Sequence, residues 1–271
     1  TEANLRRGRS GLARLKEIPV GRRTQKSQEW LRYRHDHINA SEASQVFAKS
    51  RNALLAQKAS PFEDSLRNGT AGSNATAHGN RYERVVQMVR EKRSGKTVHE
   101  FESIEHPRLT WLAASPDGVD DDGVMIEIKN PITREIIGVP KGDYWIQTQI
   151  QMEVCSLDVC DFIESKVCEY DGREFYEEDE SPEVLYRGCI IEYDCRITGD
   201  RVRRYSPLDC RGCDLDAWIA DTKAGADTAN TDDFYEIWWR MVVYSEFRVY
   251  RDRFWFQTAL GEFERFWRDV E

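Results

Sequence analysis

Two carboxylates and a lysine in this chain stand at a spacing that suits metal-assisted hydrolysis: Pro116-Asp117, nine residues, then Glu127-Ile128-Lys129. Two strands joined by a turn would bring Asp117 beside the start of the second strand. Strand alternation would then set Glu127 and Lys129 on one face and turn Ile128 into the core. Two carboxylates and a backbone carbonyl make a hard, oxygen-only pocket that suits Mg²⁺ or Mn²⁺. A lysine one side chain away can orient a water and ease its deprotonation, while the cation offsets charge developing on a phosphate oxygen. The chemistry to which this points is phosphodiester hydrolysis, against the plainer reading of a polar hairpin edge.

Two flanking segments carry further candidates. Glu83 lies four residues after Gly79, on a segment with helical spacing, where a carboxylate could reach the metal directly or through water. Downstream, Tyr144-Trp145-Ile146-Gln147-Thr148-Gln149 opens another helix, and its two amides, Gln147 and Gln149, could bind a water or the scissile phosphate.

The elements that must position these residues follow from hydrophobic period and turn chemistry. Residues 1–27 read as a basic arm with little apolar periodicity, and Gln28 to Ala56 as two helices with Asn39 and Ser41 as caps. Gly69 to Gly79 reads as a loop. The helix after it repeats Tyr82, Val85, Val86 and Val89 until Ser94-Gly95. Strands are expected at Thr97–Ile104, Leu109–Ser115, Val124–Lys129, Asp161–Glu169, Tyr186–Cys195 and Glu236–Arg251, with Asp120 to Gly123 as the turn of the catalytic hairpin. Helices are expected at Tyr144–Leu157, Leu215–Lys223 and Phe254–Val270, the aromatics of the last packing into the core. Gly172 to Glu183 is expected as an acidic surface excursion. The fold class is α/β (α+β), a central mixed sheet flanked by helices. A single domain over 28–271 is expected, with a catalytic core over about 75–170 and an elaborated C-terminal part over about 171–271.

The chain's 271 residues are 40% hydrophobic and 32% charged, enough for a full core. No apolar run approaches the ~20 residues that cross a bilayer, so a soluble intracellular protein without a membrane partner is expected. The net charge of −9 is segregated: residues 1–60 hold 13 Lys+Arg against 5 Asp+Glu, leaving −17 on the rest. A basic segment on an acidic body can attract phosphate locally, or can be a solvated arm. Of seven cysteines, only Cys210 and Cys213 have metal-like spacing, and no second pair completes a zinc site.

Several of these segments together resemble the phage lambda exonuclease or YqaJ-type viral recombinase family. They are Gly79-Asn80-Arg81-Tyr82-Glu83, Ala114-Ser115-Pro116-Asp117-Gly118, Glu127-Ile128-Lys129-Asn130-Pro131 and Tyr144 to Gln149. Trp30-Leu31-Arg32-Tyr33-Arg34 and Ile38-Asn39-Ala40-Ser41-Glu42 join them, so the resemblance runs from about Trp30 to Val154. It implies a restriction-endonuclease-like core and Mg²⁺-dependent digestion of duplex DNA from a free 5′ end, leaving 3′ single strands for recombination. Asp117, Glu127 and the Ile128 carbonyl would hold metal and Lys129 would position the water. Glu83 would support the site, and Gln147 would fix Lys129 or the water. Arg34 and Ser41 would clamp the terminal 5′-phosphate.

The resemblance also makes a single-strand annealing protein a candidate partner. The chain departs from phage members in its long acidic stretch from Asp161 to Glu271. Its tail looks like versions from large eukaryotic DNA viruses, which would put it in the host cytoplasm or nucleus, and the phage enzyme's ring-shaped trimer is not implied. Three other readings stay open. The iron-sulfur exonucleases of the same core place one cluster cysteine before the catalytic strands, and none precedes Cys155 here. An internally cutting endonuclease would lack the end clamp. A non-catalytic DNA-binding accessory protein would lack a motif residue.

Overall fold

The computed structural model describes residues 2–18, 28–62, 74–226, 231 and 233–271. Among the described residues, helices and strands run in the order α1 (Glu2–Lys16), α2 (Gln28–His35), β1 (Ile38–Asn39), α3 (Arg51–Ala59), α4 (Asn74–Ser94), β2 (Val98–His99), β3 (Ile104–Glu105), β4 (Leu112–Ala114), β5 (Gly118–Asp120), β6 (Met125–Lys129), α5 (Gly142–Cys155), β7 (Val159–Glu169), α6 (Arg173–Glu178), β8 (Tyr186–Asp194), β9 (Arg201–Tyr205), α7 (Gly212–Ala224), β10 (Tyr235–Tyr250) and α8 (Arg253–Val270). A 3₁₀ segment, Ala40–Phe47, lies between β1 and α3. None of the helices among the described residues is long and apolar enough to cross a membrane.

The main sheet is mixed, in the order β2-β5-β6-β7-β10-β8-β9. Strands β5 and β6 form the hairpin, with Gly118 opposite Ile126, and β6 runs parallel to β7, with Glu127 opposite Phe162. A small second sheet, β1-β4-β3, pairs Ile38 with Leu112 in parallel. The alternation of β6 divides its side chains between two cores. Ile126 and Ile128 pack with Tyr82, Val85, Val86 and Val89 of α4, which covers one face. Met125 packs on the other face with Ile150 and Val154 of α5 and Phe263 and Phe266 of α8. Glu127 and Lys129 therefore emerge on the α5 side. Tyr176 of α6 and Leu215 and Ile219 of α7 form a third cluster against β8 and β10.

Three segments differ from the reading of the sequence. Residues 2–16 of the basic arm have regular structure and an apolar edge. They form a helix whose buried edge, Gly11, Leu12 and Leu15, packs on the body. Its charge is paired across the fold: Arg9 donates to Asp122 Oδ1 at 2.8 and 3.1 Å, and Arg7 lies 3.7 Å from Asp158. Helix and hairpin turn meet backbone to backbone, because a Cβ on Gly8 would sit 2.1 Å from the Asp122 carbonyl and one on Gly123 would sit 1.9 Å from the Gly8 carbonyl. The rest of the expected arm, residues 19–27, lies outside the described residues. Helix α4 begins at Asn74 rather than near Gly79, so the later part of the expected loop is helical, and residues 63–73 lie outside the described residues. The acidic excursion contains α6, whose Tyr176 is fully buried and donates to the Cys210 carbonyl.

Candidate active site

The hairpin positions its two carboxylates through the backbone. Asp117 precedes β5, and the Ile128 N–H donates to Asp117 Oδ2 at 2.6 Å, tying the two motif segments together across the turn. Gly118 follows the aspartate because a Cβ there would meet Val98 Cγ1 at 2.3 Å. On the α4 side, Gln87 Nε2 donates to the Asp117 carbonyl at 2.8 Å. Gln87 is one helical turn after Glu83, so the same face of α4 supports Asp117 and presents Glu83 to the cleft.

Glu127 is 1% exposed and fully engaged. Its Oε1 accepts from Gln147 Nε2 at 2.6 Å and from the Lys129 ammonium, and its Oε2 accepts from Gln151 Nε2 at 2.7 Å. Lys129 also lies over the Tyr144 ring, 5.2 Å from its centroid. Gln147 thus acts on Glu127 rather than on Lys129. Gln149 does not reach the site: it donates to the Tyr250 carbonyl and accepts from the Asp252 N–H, pinning α5 to the start of α8. Two residues along a helix is a rotation of about 200°, whereas four residues return to the same face. The second amide of the site is therefore Gln151, which the sequence reading missed, together with Gln87.

The electrostatics are those of crowded negative charge. Burial, and then the charges of Glu127 and Glu83, push the Asp117 carboxyl well above the usual carboxylate range, against the pull of Lys129 and the Ile128 N–H. Burial would lower the Lys129 ammonium, but Glu127 and Asp117 raise it, so it keeps its proton at neutral pH. These donors fit a hard divalent cation. Asp117 and Glu127 offer anionic oxygens with Glu83 close by, and the buried Gln151 Oε1 has no hydrogen-bond partner among the described residues. No three His, Cys, Asp or Glu side chains among the described residues form a complete ligand set. Two carboxylates with backbone and water oxygens is the arrangement that Mg²⁺ commonly accepts.

Arg34 and Ser41 line the same cleft, of about 910 Å³, as Glu83, Asp117, Glu127 and Lys129. Arg34 Nη2 donates to Ser41 Oγ at 3.2 Å, and its guanidinium lies 4.9 Å from the centroid of the Trp30 ring. Its backbone is held from behind, its carbonyl accepting from Asn39 Nδ2 at 2.7 Å and Lys58 Nζ at 2.6 Å. Lys58 is buried and paired with Glu42 at 2.5 Å, and Glu42 also accepts from the Asn39 N–H as the 3₁₀ segment begins. Burial lowers the Lys58 ammonium, and Glu42 counters it.

Residues 29–158, which hold every one of these groups, match the model of the YqaJ-like viral recombinase domain. The chain is similar to this family over that segment. It is similar to the uncharacterised protein R354 of Acanthamoeba polyphaga mimivirus, 32% identical over 211 residues, which is 66% of this chain and 37% of that protein. The chain thus matches little more than a third of the length of this curated relative. The fold is similar to that of LHK-Exo in a crystal structure with dAMP, at 21% identity and a TM-score of 0.54, covering 90% of this chain and 92% of that one. A second structure of LHK-Exo, described as an alkaline exonuclease from Laribacter hongkongensis, aligns at 24% identity and a TM-score of 0.44 over 73% of this chain and 88% of that one. The first of these likenesses shows a shared fold, helices flanking a mixed sheet.

Proposed function

We propose that the chain is a Mg²⁺- or Mn²⁺-dependent deoxyribonuclease that digests linear duplex DNA from a 5′ end and leaves 3′ single strands for recombination. The observation that carries this reading is the shared cleft, with the carboxylate-lysine site and the Arg34-Ser41 pair opening into one space. The name of LHK-Exo, an alkaline exonuclease with this fold, agrees with it. A single-strand annealing protein is the partner such a product would call for, and an infected cell's cytoplasm or nucleus the setting.

Asp117 and Glu127, with the Ile128 carbonyl and support from Glu83, would hold the cation. When bound, it would supply positive charge against the scissile phosphate and acidify the attacking water. Lys129 orients that water through an ammonium that keeps its proton, so it serves as a charge and a donor. Gln147 and Gln151 fix both oxygens of Glu127, which keeps the carboxylate from rotating away. Arg34 presents a planar fork to a terminal phosphate, with the Ser41 hydroxyl beside it.

The test compares linear duplexes bearing 5′-phosphate or 5′-hydroxyl ends with covalently closed circles, using wild type and Arg34→Ala. The expected result is faster digestion of the phosphorylated end, loss of that preference in Arg34→Ala, and no cutting of circles. Rapid cutting of circles would refute end recognition and favour an endonuclease, and equal rates on both ends would refute the Arg34 phosphate clamp.

A further inference from the structure

The basic N-terminal helix does not spend its charge at the catalytic cleft. Arg7 and Arg14 line a second cavity, of about 670 Å³, that shares no residue with the first. It lies beyond the far end of α5, between α1, the segment before β4 and the start of α8. Five arginines, Arg7, Arg14, Arg108, Arg251 and Arg253, face two carboxylates, Glu153 and Asp158, across it. On a chain of net charge −9 this groove is locally positive by three.

The arginines are of two kinds. Arg251 is only 11% exposed and is locked to Glu153 Oε2 at 2.5 and 2.9 Å, so it belongs to the wall. Arg253 reaches Asp158 at 2.7 Å but remains largely exposed, and the Arg14 guanidinium donates, among the described residues, only to the Ser156 carbonyl, at 3.3 Å. The Arg108 guanidinium has no partner among the described residues. Leu260, with the edges of the buried Leu157 and Phe256, gives the groove an apolar floor. Guanidinium forks above an apolar floor match a strand that presents phosphates on one side and base or sugar faces on the other.

We propose that this groove is a second DNA site, taking the phosphodiester backbone of a single strand outside the catalytic cleft. The proposal rests on the reading of the chain as a DNA nuclease, and it assigns α1 a role in holding substrate or product rather than in catalysis. An acidic peptide would satisfy the charge but not the apolar floor, and it is the competing occupant.

Binding of fluorescein-labelled (dT)20 by anisotropy, in EDTA and over a range of salt, tests it. The proteins are wild type, Arg108→Glu, the double variant Arg7→Glu/Arg14→Glu, and Arg265→Glu as a charge-matched control on the exposed side of α8. Arg108→Glu breaks no side-chain hydrogen bond or ion pair among the described residues, so its fold should be kept, and Arg108→Lys should retain most of the affinity. If the groove holds three phosphates, one each on Arg7, Arg14 and Arg108, its variants should bind at least about tenfold more weakly, and the slope of log affinity against log salt should flatten by about 0.7 units in Arg108→Glu and about 1.4 units in the double variant. Arg265→Glu should leave both nearly unchanged. Equal effects of Arg108→Glu and Arg265→Glu would overturn the proposal. So would Arg108-dependent binding of poly-glutamate with (dT)20 binding unaffected. Cleavage of linear duplex in Mg²⁺ at saturating DNA, run in parallel, should match wild type in the groove variants. Arginine-dependent binding by a wild type that cuts nothing would keep the groove and remove the nuclease reading. Intact cutting with binding indifferent to the arginines would do the reverse.

Discussion

Replacing Gln151 with leucine removes the donor to Glu127 Oε2 at 2.7 Å and a weaker contact to the Ser115 carbonyl at 3.3 Å, in a site where Glu127 is 1% exposed. A hydrogen bond to a buried charged group contributes about 1.5–3 kcal/mol. At about 2–4 °C per kcal/mol for a chain of this size, the melting temperature should fall on the order of 5 °C. The effect on function is separate, because Gln147 still holds Oε1 while Oε2 is freed to swing. Loss of a partner that orients a metal ligand typically costs about 10–100-fold in metal affinity or activity. Single-turnover cleavage of a linear duplex across a Mg²⁺ titration, with thermal unfolding of the same samples, reads both. Gln149→Leu is the control, since Gln149 binds the Tyr250 carbonyl and the Asp252 N–H and nothing in the cleft. It should lose stability and keep the Mg²⁺ curve. A Gln151→Leu enzyme with wild-type rate and Mg²⁺ dependence would refute the reasoning that Gln151 orients Glu127.

Asp117→Asn should abolish cleavage yet raise stability at neutral pH by about 0.5–2 kcal/mol, the usual yield of relieving a strained functional site. A carboxyl raised in the folded state disfavours folding once pH exceeds its unfolded value, so the gap between variant and wild type should close toward pH ~4. An Asp117→Asn variant less stable than wild type at pH 7 contradicts this. Glu153 behaves oppositely: burial would raise it, but the nearby His106 imidazole, 3.7 Å away, and the hydrogen bonds from Arg251 hold it below the ordinary glutamate value. Its contribution is complete above pH ~4.3 and lost as pH falls further, so urea midpoints from pH 7 to 3 should drop more in wild type than in Glu153→Gln. Gly8→Val should push α1 off the hairpin turn, since its Cβ would meet the Asp122 carbonyl at 2.1 Å, at a cost of about 1–3 kcal/mol. Hydrogen exchange at residues 120–124 should quicken, and unchanged protection there would show that the helix does not brace the turn.

Much of the site is legible in the sequence because short-range rules generate it. A turn at Asp120 to Gly123 and strand alternation suffice to bring Asp117 near Ile128 and to separate Glu127 from Ile128. The amides are half legible. Gln147 opens the helix and faces Glu127, but Gln149 reads as equivalent by proximity, although a 3.6-residue period selects Gln151. That signal is in the sequence, as is the one-turn spacing of Glu83 and Gln87. Other features depend on partners far along the chain. Helix α1 has only a narrow apolar edge among its arginines, and it is held by Asp122 and Asp158, more than a hundred residues away. Strand β9, Arg201–Tyr205, is polar and partly exposed, and it is a strand because β8 offers it an edge, with Ile190 opposite Tyr205.

Asp117, Glu127 and Lys129 are proposed to cut DNA with the help of a divalent cation. Gel analysis of a linear 5′-phosphorylated duplex, in Mg²⁺ and in EDTA, for wild type, Asp117→Ala and Lys129→Ala, tests it most directly. Wild type should digest the duplex in Mg²⁺ and not in EDTA, with rates at least about a hundredfold lower in both variants while DNA binding persists. Near-normal digestion by Asp117→Ala, or wild-type digestion undiminished by EDTA, would contradict it.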